Sequence, residues 1–173
     1  RRFGSRRHYC PSDPTYHKYS ERITHAMAER YGNHPAVIGW QIDNEFGCYF
    51  TRCYCETCTT EFRHWLQSKY SSLDELNERW GTIFWSQTYN KWTQIEPHNL
   101  TVAEPNPSHV LDYYRFASDS WTAYQQIQID ALRESIPTTQ FITHNIIASL
   151  TTIDFHDLAR DLDFVAWDSY PTG

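Results

Sequence analysis

Nowhere does the 173-residue chain carry an apolar run approaching the ~20 residues a membrane span needs. It has no basic stripe either. Arg1, Arg2, Arg6 and Arg7 form one short local cluster in a chain of formal net charge −6, which excludes a nucleic-acid footprint. Internal repeats and low-complexity tracts are absent, as are a start methionine and a signal peptide. The chain opens on RRFGSRRHYC and stops at SYPTG, a turn, so we expect an internal piece of a longer protein, and the missing signal carries no weight. A secreted disulfide framework is also excluded. The five cysteines, at 10, 48, 53, 55 and 58, are odd in number and clustered.

Aromatic residues, by contrast, are abundant at 16%, with seven Trp and twelve Tyr. Aromatic faces suit both a large core and stacking on the apolar C–H side of a sugar ring, and composition alone favours the core. Hydrophobic residues at 40% and charged residues at 21% are ordinary for a globular domain, and the length permits a sizeable core.

Ser12-Asp13-Pro14 reads as a helix start, with Tyr16, Tyr19, Ile23 and Met27 at helical spacing and Gly32 as the stop. A short apolar run over 36–42 predicts a buried parallel strand with Asp43-Asn44-Glu45 at its C-terminal end. Residues 46–58 read as a loop, followed by a helix from about Thr59 to Tyr70. Ser72 and Glu75 form a capping-box pattern for a short helix ending at Gly81. The stretch 84–107 lacks a period and reads as an elaborated insertion. Ser108 then caps the longest helix, with Val110, Leu111, Tyr114, Ala117, Trp121, Tyr124 and Ile127 on its inner face. Strands over 140–144 and 164–167 flank a helix over 154–160. Asp161 and Asp163 read as solvated turn charges.

Strands alternating with helices give an α/β fold with a parallel sheet, and right-handed crossovers bring the polar strand ends to one rim. That is where barrel enzymes keep their chemistry, and a full (β/α)8 TIM barrel needs roughly 250 residues. The expectation is a partial barrel: about three parallel strands with their helices, residues 1–173 forming a single segment of one catalytic domain. Its unpaired parallel edges predict poor solubility in isolation.

Two constellations carry chemistry. Glycoside cleavage needs a carboxylic acid at the leaving oxygen and a carboxylate across the anomeric carbon. Glu45 after a buried strand fits the acid, and Asn44 can donate to a sugar hydroxyl beside the reacting centre. Cys53, Cys55 and Cys58 bring three thiolates into one tight turn, and a tetrahedral zinc takes a fourth. Cys10 suits that place better than Cys48, and four thiolates leave no position for water, so the metal is structural. His144-Asn145 and Asp168-Ser169-Tyr170 either line the pocket or serve the fold. Arg6 and Arg7 either clamp sugar hydroxyls or solvate a loop.

Together the segments RRFGSRRHYC, WQIDNEFGC, CYCETC, NERWGTIFWSQ, EPNPSHVLDYYRFASD and DFVAWDSYP resemble glycoside hydrolase family 42, the β-galactosidases of the clan A barrels, along the whole chain. The resemblance implies a retaining enzyme that cleaves terminal β-D-galactosides, with Glu45 as acid/base and Asn44 on the 2-hydroxyl. It further implies Arg6 on the galactosyl unit, Tyr170 near the nucleophile, and Cys10, Cys53, Cys55 and Cys58 around a structural zinc. A cytoplasmic homotrimer without nucleic-acid or membrane partners follows from it, as does a glutamate nucleophile on a later strand, beyond position 173. Glu96, Glu104 and Asp168 do not occupy that place, so the segment alone should show no turnover. Alternatives are another clan A β-glycosidase, such as an α-L-arabinopyranosidase, or a non-catalytic zinc-stabilised carbohydrate-binding domain.

Overall fold

The computed structural model describes residues 4, 6–50, 52–147 and 149–171. They fall into two compact units, one of residues up to 51 and from 118 on, the other of 52–117.

In the first unit, helix α1 (Pro14–Tyr31) starts where expected, with the Asp13 carboxylate accepting from the Tyr16 N–H at 2.9 Å and Pro at the first turn. Its inward stripe differs from the expected one. Tyr19, Ile23 and Met27 are exposed, while the small residues Ser20 and Ala28 are buried. Small side chains let Tyr124 come close enough for its hydroxyl to lie 2.9 Å from the Ser20 hydroxyl. The longest helix, α4 (Pro107–Arg133), contributes its residues from 118 on to this unit, and α5 (Phe155–Ala159) is tied to it by Gln125 Nε2 donating to the Leu158 carbonyl at 2.7 Å.

Strands β1 (Gly39–Gln41), β2 (Phe141–Ile147) and β3 (Phe164–Asp168) pair in parallel in the order β1-β2-β3, as the alternating pattern predicts. β1 is shorter than expected. Val37 N–H is tied back to the His34 carbonyl in a turn, and pairing begins at Gly39, where an added Cβ would stand 2.4 Å from the Phe141 ring. β2 is longer, because both β1 and β3 pair with it, so His144 and Asn145 lie within the strand and not at its end. One face of the sheet packs Ile42 and Ile142 against Ala28, Ile129, Leu132 and Ile136. Full burial of a side chain such as Ile142 contributes roughly 1.5–3 kcal/mol. The other face carries Gln41, Thr143, Asn145 and Asp168. Asp163 is exposed at a turn, as expected, but is also tied to the fold: Oδ2 accepts from Ile142 N–H and from Arg133 Nη2, both at 2.6 Å, and these partners hold its carboxyl below the usual range.

The second unit contains α2 (Glu56–Lys69), α3 (Leu73–Trp80) and residues 107–117 of α4. Helix α2 begins before the expected Thr59, so Cys58 lies in its first turn. Ser72 and Gly81 bound α3 as expected, Ser72 Oγ accepting from Glu75 N–H and Gly81 adopting φ +62°. Asn106, not Ser108, caps α4, its Oδ1 accepting from the Ser108 N–H at 2.9 Å. The phase of α4 also shifts here: Leu111 and Tyr114 are exposed, and Asp112, Tyr113 and Phe116 face in. Buried Asp112 is held by Lys69, by Tyr70 Oη at 2.6 Å and by Trp80 Nε1 at 2.9 Å. Among the described residues no helix is long and apolar enough to cross a membrane.

Candidate active site

After β1 the chain turns sharply through Asp43 (φ +48°) and Glu45 (φ +45°), a left-handed conformation that costs non-glycine residues on the order of 1–3 kcal/mol each. Surrounding hydrogen bonds impose it. Arg7 donates to the Asn44 carbonyl and, at 3.1 Å, to that of Glu45, and its Nη1 lies 3.6 Å from Asp43. Asp43 accepts in turn from the Asn44 N–H at 2.6 Å and from the Tyr124 hydroxyl at 3.3 Å. On the other side, buried His144 stacks on Phe46 with ring centroids 4.0 Å apart and bridges the turn. Its Nδ1 is 2.8 Å from the Ile42 carbonyl and its Nε2 is 3.1 Å from the Phe46 N–H. A carbonyl only accepts and an N–H only donates, so the ring is the neutral Nδ1–H tautomer. Burial lowers its pKa and keeps it so.

This turn buries the Glu45 side chain, 7% exposed, among hydrogen-bond donors. Asn44 Nδ2 donates to Oε2 at 3.2 Å and the Tyr170 hydroxyl donates to Oε1 at 3.3 Å. The Cys48 thiol also hydrogen-bonds to Glu45; burial, then the glutamate charge, raise its pKa. The Glu45 charge is the largest cause of the raised pKa of Tyr170. Buried Asn145 stands beneath: Oδ1 accepts from Glu45 N–H at 3.2 Å and Gln41 Nε2 at 3.1 Å, and Nδ2 donates to Asn44 Oδ1 at 3.0 Å and Asp168 Oδ2 at 2.8 Å.

Of the residues expected from the sequence, the structure therefore brings Glu45, Asn44 and Tyr170 together. Arg6 is exposed, its guanidinium 5.4 Å from the centre of the exposed Tyr49 ring. Arg7, one residue on, holds the strand end instead. Of the two options left open for His144, the fold-serving one holds in this geometry. Arg7 takes neither of the two parts open to it from the sequence, since it is bound to the Asn44 and Glu45 carbonyls, and Asp43 and Cys48 had no part in the site from the sequence. Nothing in the residue pattern at 6–7 distinguishes the arginine that faces outward from the one that supports Glu45.

In the second unit the Sγ atoms of Cys53, Cys55 and Cys58 lie within 4.8 Å of one another at the start of α2. Tyr113 Oη donates to the Cys53 carbonyl at 2.6 Å; burial, then these cysteines, raise its pKa. A tetrahedral zinc with Zn–S bonds of ~2.3 Å sets its sulfurs about 3.8 Å apart, so the three thiols fit such an ion with little adjustment. Cys10 belongs to the first unit, one turn before α1, where its carbonyl accepts from the Asp13 N–H at 3.2 Å.

The chain matches the family described as beta-galactosidase, glycoside hydrolase 42, over residues 1–173. It is 55% identical to beta-galactosidase BgaA of a Thermus species, with 100% of this chain and 27% of that protein aligned. It is 53% identical to a beta-galactosidase of Thermus thermophilus, again with 27% of that protein covered. The solved beta-galactosidase of the psychrophilic Marinomonas ef1 superposes with a TM-score of 0.96 at 45% identity, over 99% of this chain and 26% of that one. The chain thus spans about a quarter of the length of the relatives it matches.

Proposed function

The chain belongs to glycoside hydrolase family 42, its three strands forming part of that family's (β/α)8 barrel, and from this we propose that it carries the acid/base half of a retaining β-galactosidase. The observation that carries the proposal is the buried Glu45 carboxyl with the Asn44 amide 3.2 Å away, at the C-terminal end of a parallel strand. In the full-length enzyme Glu45 protonates the glycosidic oxygen as it leaves. A second carboxylate, ~5–5.5 Å from the first in retaining enzymes, attacks the anomeric carbon to form a glycosyl-enzyme. Glu45, now ionised, then takes a proton from water as it attacks the same carbon. The remaining Asn44 N–H is available to the sugar 2-hydroxyl, a contact that strengthens in the oxocarbenium-like transition state. We assign the nucleophile to a later strand of the longer protein, so this segment alone does not turn over. A pure binding module has no use for a buried carboxyl held beside an amide.

Arg6 is proposed to bind the galactosyl unit and Tyr170 to orient Glu45. For the metal, the three thiols at the start of α2 supply most of a zinc shell, and Cys10 is proposed as the fourth ligand. Such an ion is saturated and fixes the 53–58 segment; it supplies no reacting water. A terminal β-galactoside as substrate, a homotrimeric assembly and a cytoplasmic location complete the proposal by family resemblance.

The test uses the full-length enzyme and an aryl β-galactoside. Glu45→Ala should lower kcat/KM by about a thousandfold and remove the alkaline limb of the pH profile. Azide should restore turnover with galactosyl azide as product. Wild-type kinetics with the alkaline limb intact in Glu45→Ala would overturn the assignment.

A further inference from the structure

We infer that Asn145 is a positioning residue that fixes which end of the Asn44 amide faces the substrate, and so sets discrimination at the sugar 2-hydroxyl. The inference rests on the acid/base reading of Glu45. It starts from a side-chain amide whose hydrogen-bonding capacity is fully used. A carboxamide has two acceptor sites and two N–H donors, and Asn145 uses all four at 2.8–3.2 Å while 6% exposed.

One partner removes any ambiguity in the orientation of this amide. The Glu45 backbone N–H can only donate, so the atom 3.2 Å from it is the Asn145 oxygen. The Asn145 nitrogen must then face Asp168 and Asn44. Because that nitrogen donates, the Asn44 atom 3.0 Å away is an oxygen, and the Asn44 nitrogen is turned to the Glu45 carboxylate. Orientation is thus passed from the Glu45 backbone through Asn145 to the Asn44 side chain. The result is an N–H aimed at the reacting centre, where a flipped amide would present a second acceptor beside the Glu45 carboxylate. Gln41, exposed and at the end of β1, supports the arrangement through one bond to Asn145 and a second, at 3.3 Å, to the Asp43 carbonyl.

Asn145→Asp keeps the shape and both acceptor sites but deletes the two donors. The Asn44 oxygen then faces a carboxylate, and its amide is no longer held in one orientation. Misplacing a group that acts at the reacting centre costs up to about a hundredfold. The comparison is between an aryl β-galactoside and its 2-deoxy analogue, both assayed with the full-length enzyme. In Asn145→Asp, kcat/KM for the galactoside should fall by roughly 10–100-fold while that for the 2-deoxy analogue falls far less, so their ratio shrinks by about tenfold or more. Gln41→Met, at an exposed position, should shrink the ratio in the same direction by a smaller factor, and it serves if Asn145→Asp does not fold. An unchanged ratio in the folded variants, with both substrates slowed equally, overturns the inference and makes Asn145 merely structural. Glu45→Ala assayed alongside separates the two levels: a Glu45→Ala enzyme that keeps its activity rejects the acid/base assignment itself.

Discussion

His144 and Phe46 are joined twice, by rings stacked 4.0 Å apart and by the Phe46 N–H donating to His144 Nε2 at 3.1 Å. The same imidazole reaches the Ile42 carbonyl through Nδ1, so one side chain spans the residues before and after Asp43-Asn44-Glu45. A left-handed turn of non-glycine residues needs such a clamp. Arg7 supplies the other through the carbonyls of Asn44 and Glu45. Removing the imidazole strands a buried N–H and a buried carbonyl, at about 1–3 kcal/mol each. His144→Ala should therefore lower the unfolding midpoint of the full-length protein by several degrees and slow turnover. An unchanged midpoint would remove His144 from the support of this turn.

The buried histidines also set the acid limit of stability. Burial pushes the pKa of His109 down to about 4, and it stacks between Phe62 and Trp80; burial lowers that of His144 as well. A folded pKa below the unfolded value of ~6.5 means the unfolded chain binds protons first as pH falls. The stability is complete above pH ~6.5 and drains away between there and about 4, by on the order of 3 kcal/mol for His109. His109→Phe keeps the aromatic stack but does not titrate. The wild type should thus lose more denaturant resistance than this variant between pH 7 and 4.5, and parallel losses would show that His109 does not carry the effect.

Arg6 and Arg7 are adjacent yet should fail in different ways. Arg7 uses the planar fork of its guanidinium on two carbonyls, Asp43 and the Tyr9 hydroxyl, a pattern an ammonium cannot reproduce. Arg7→Lys should cost about 2–3 kcal/mol of stability. Exposed Arg6 should leave stability almost unchanged in Arg6→Lys and raise KM for the galactoside. Thermal unfolding beside steady-state kinetics checks both, and the assignments are exchanged if KM rises in Arg7→Lys alone.

How much of this was legible in the residues follows from what each signal measures. The strand-end placement of Asn44-Glu45 could be read because an apolar run bounded by turn signals marks a buried parallel strand. The parallel pairing of the strands followed from their alternation with helices. Helix faces were less legible. Tyr19, Ile23 and Met27 are apolar at helical spacing, but the contact is made by Ser20 and Ala28, since close approach rewards small side chains over apolar ones. The cap at Asn106 was misplaced by two residues, because Asn and Ser compete equally for that role in sequence. Asn145 and Arg7 were visible as polar residues near the site, but their work depends on backbone groups 37 to 100 residues away. No local pattern encodes such pairings.

The cysteines make the last prediction, because Cys48 and Cys58 are both buried thiols with opposite expectations. Cys58 lies within 4.8 Å of Cys53 and Cys55, a spacing of sulfurs that suits a tetrahedral cation. Cys48 instead meets the Glu45 carboxylate as a neutral thiol, its pKa raised by burial and by that charge. From the proposed zinc site, treating the full-length protein with a strong chelator should lower its unfolding midpoint, and Cys58→Ser should reduce bound zinc below one per chain. Cys48→Ser should keep full zinc, and because a hydroxyl also donates to a carboxylate, it should alter turnover by less than about tenfold. Zinc measured by atomic spectroscopy on the three proteins decides the matter. Full occupancy in Cys58→Ser, or loss of zinc in Cys48→Ser, would show that the metal is held by a different set of sulfurs.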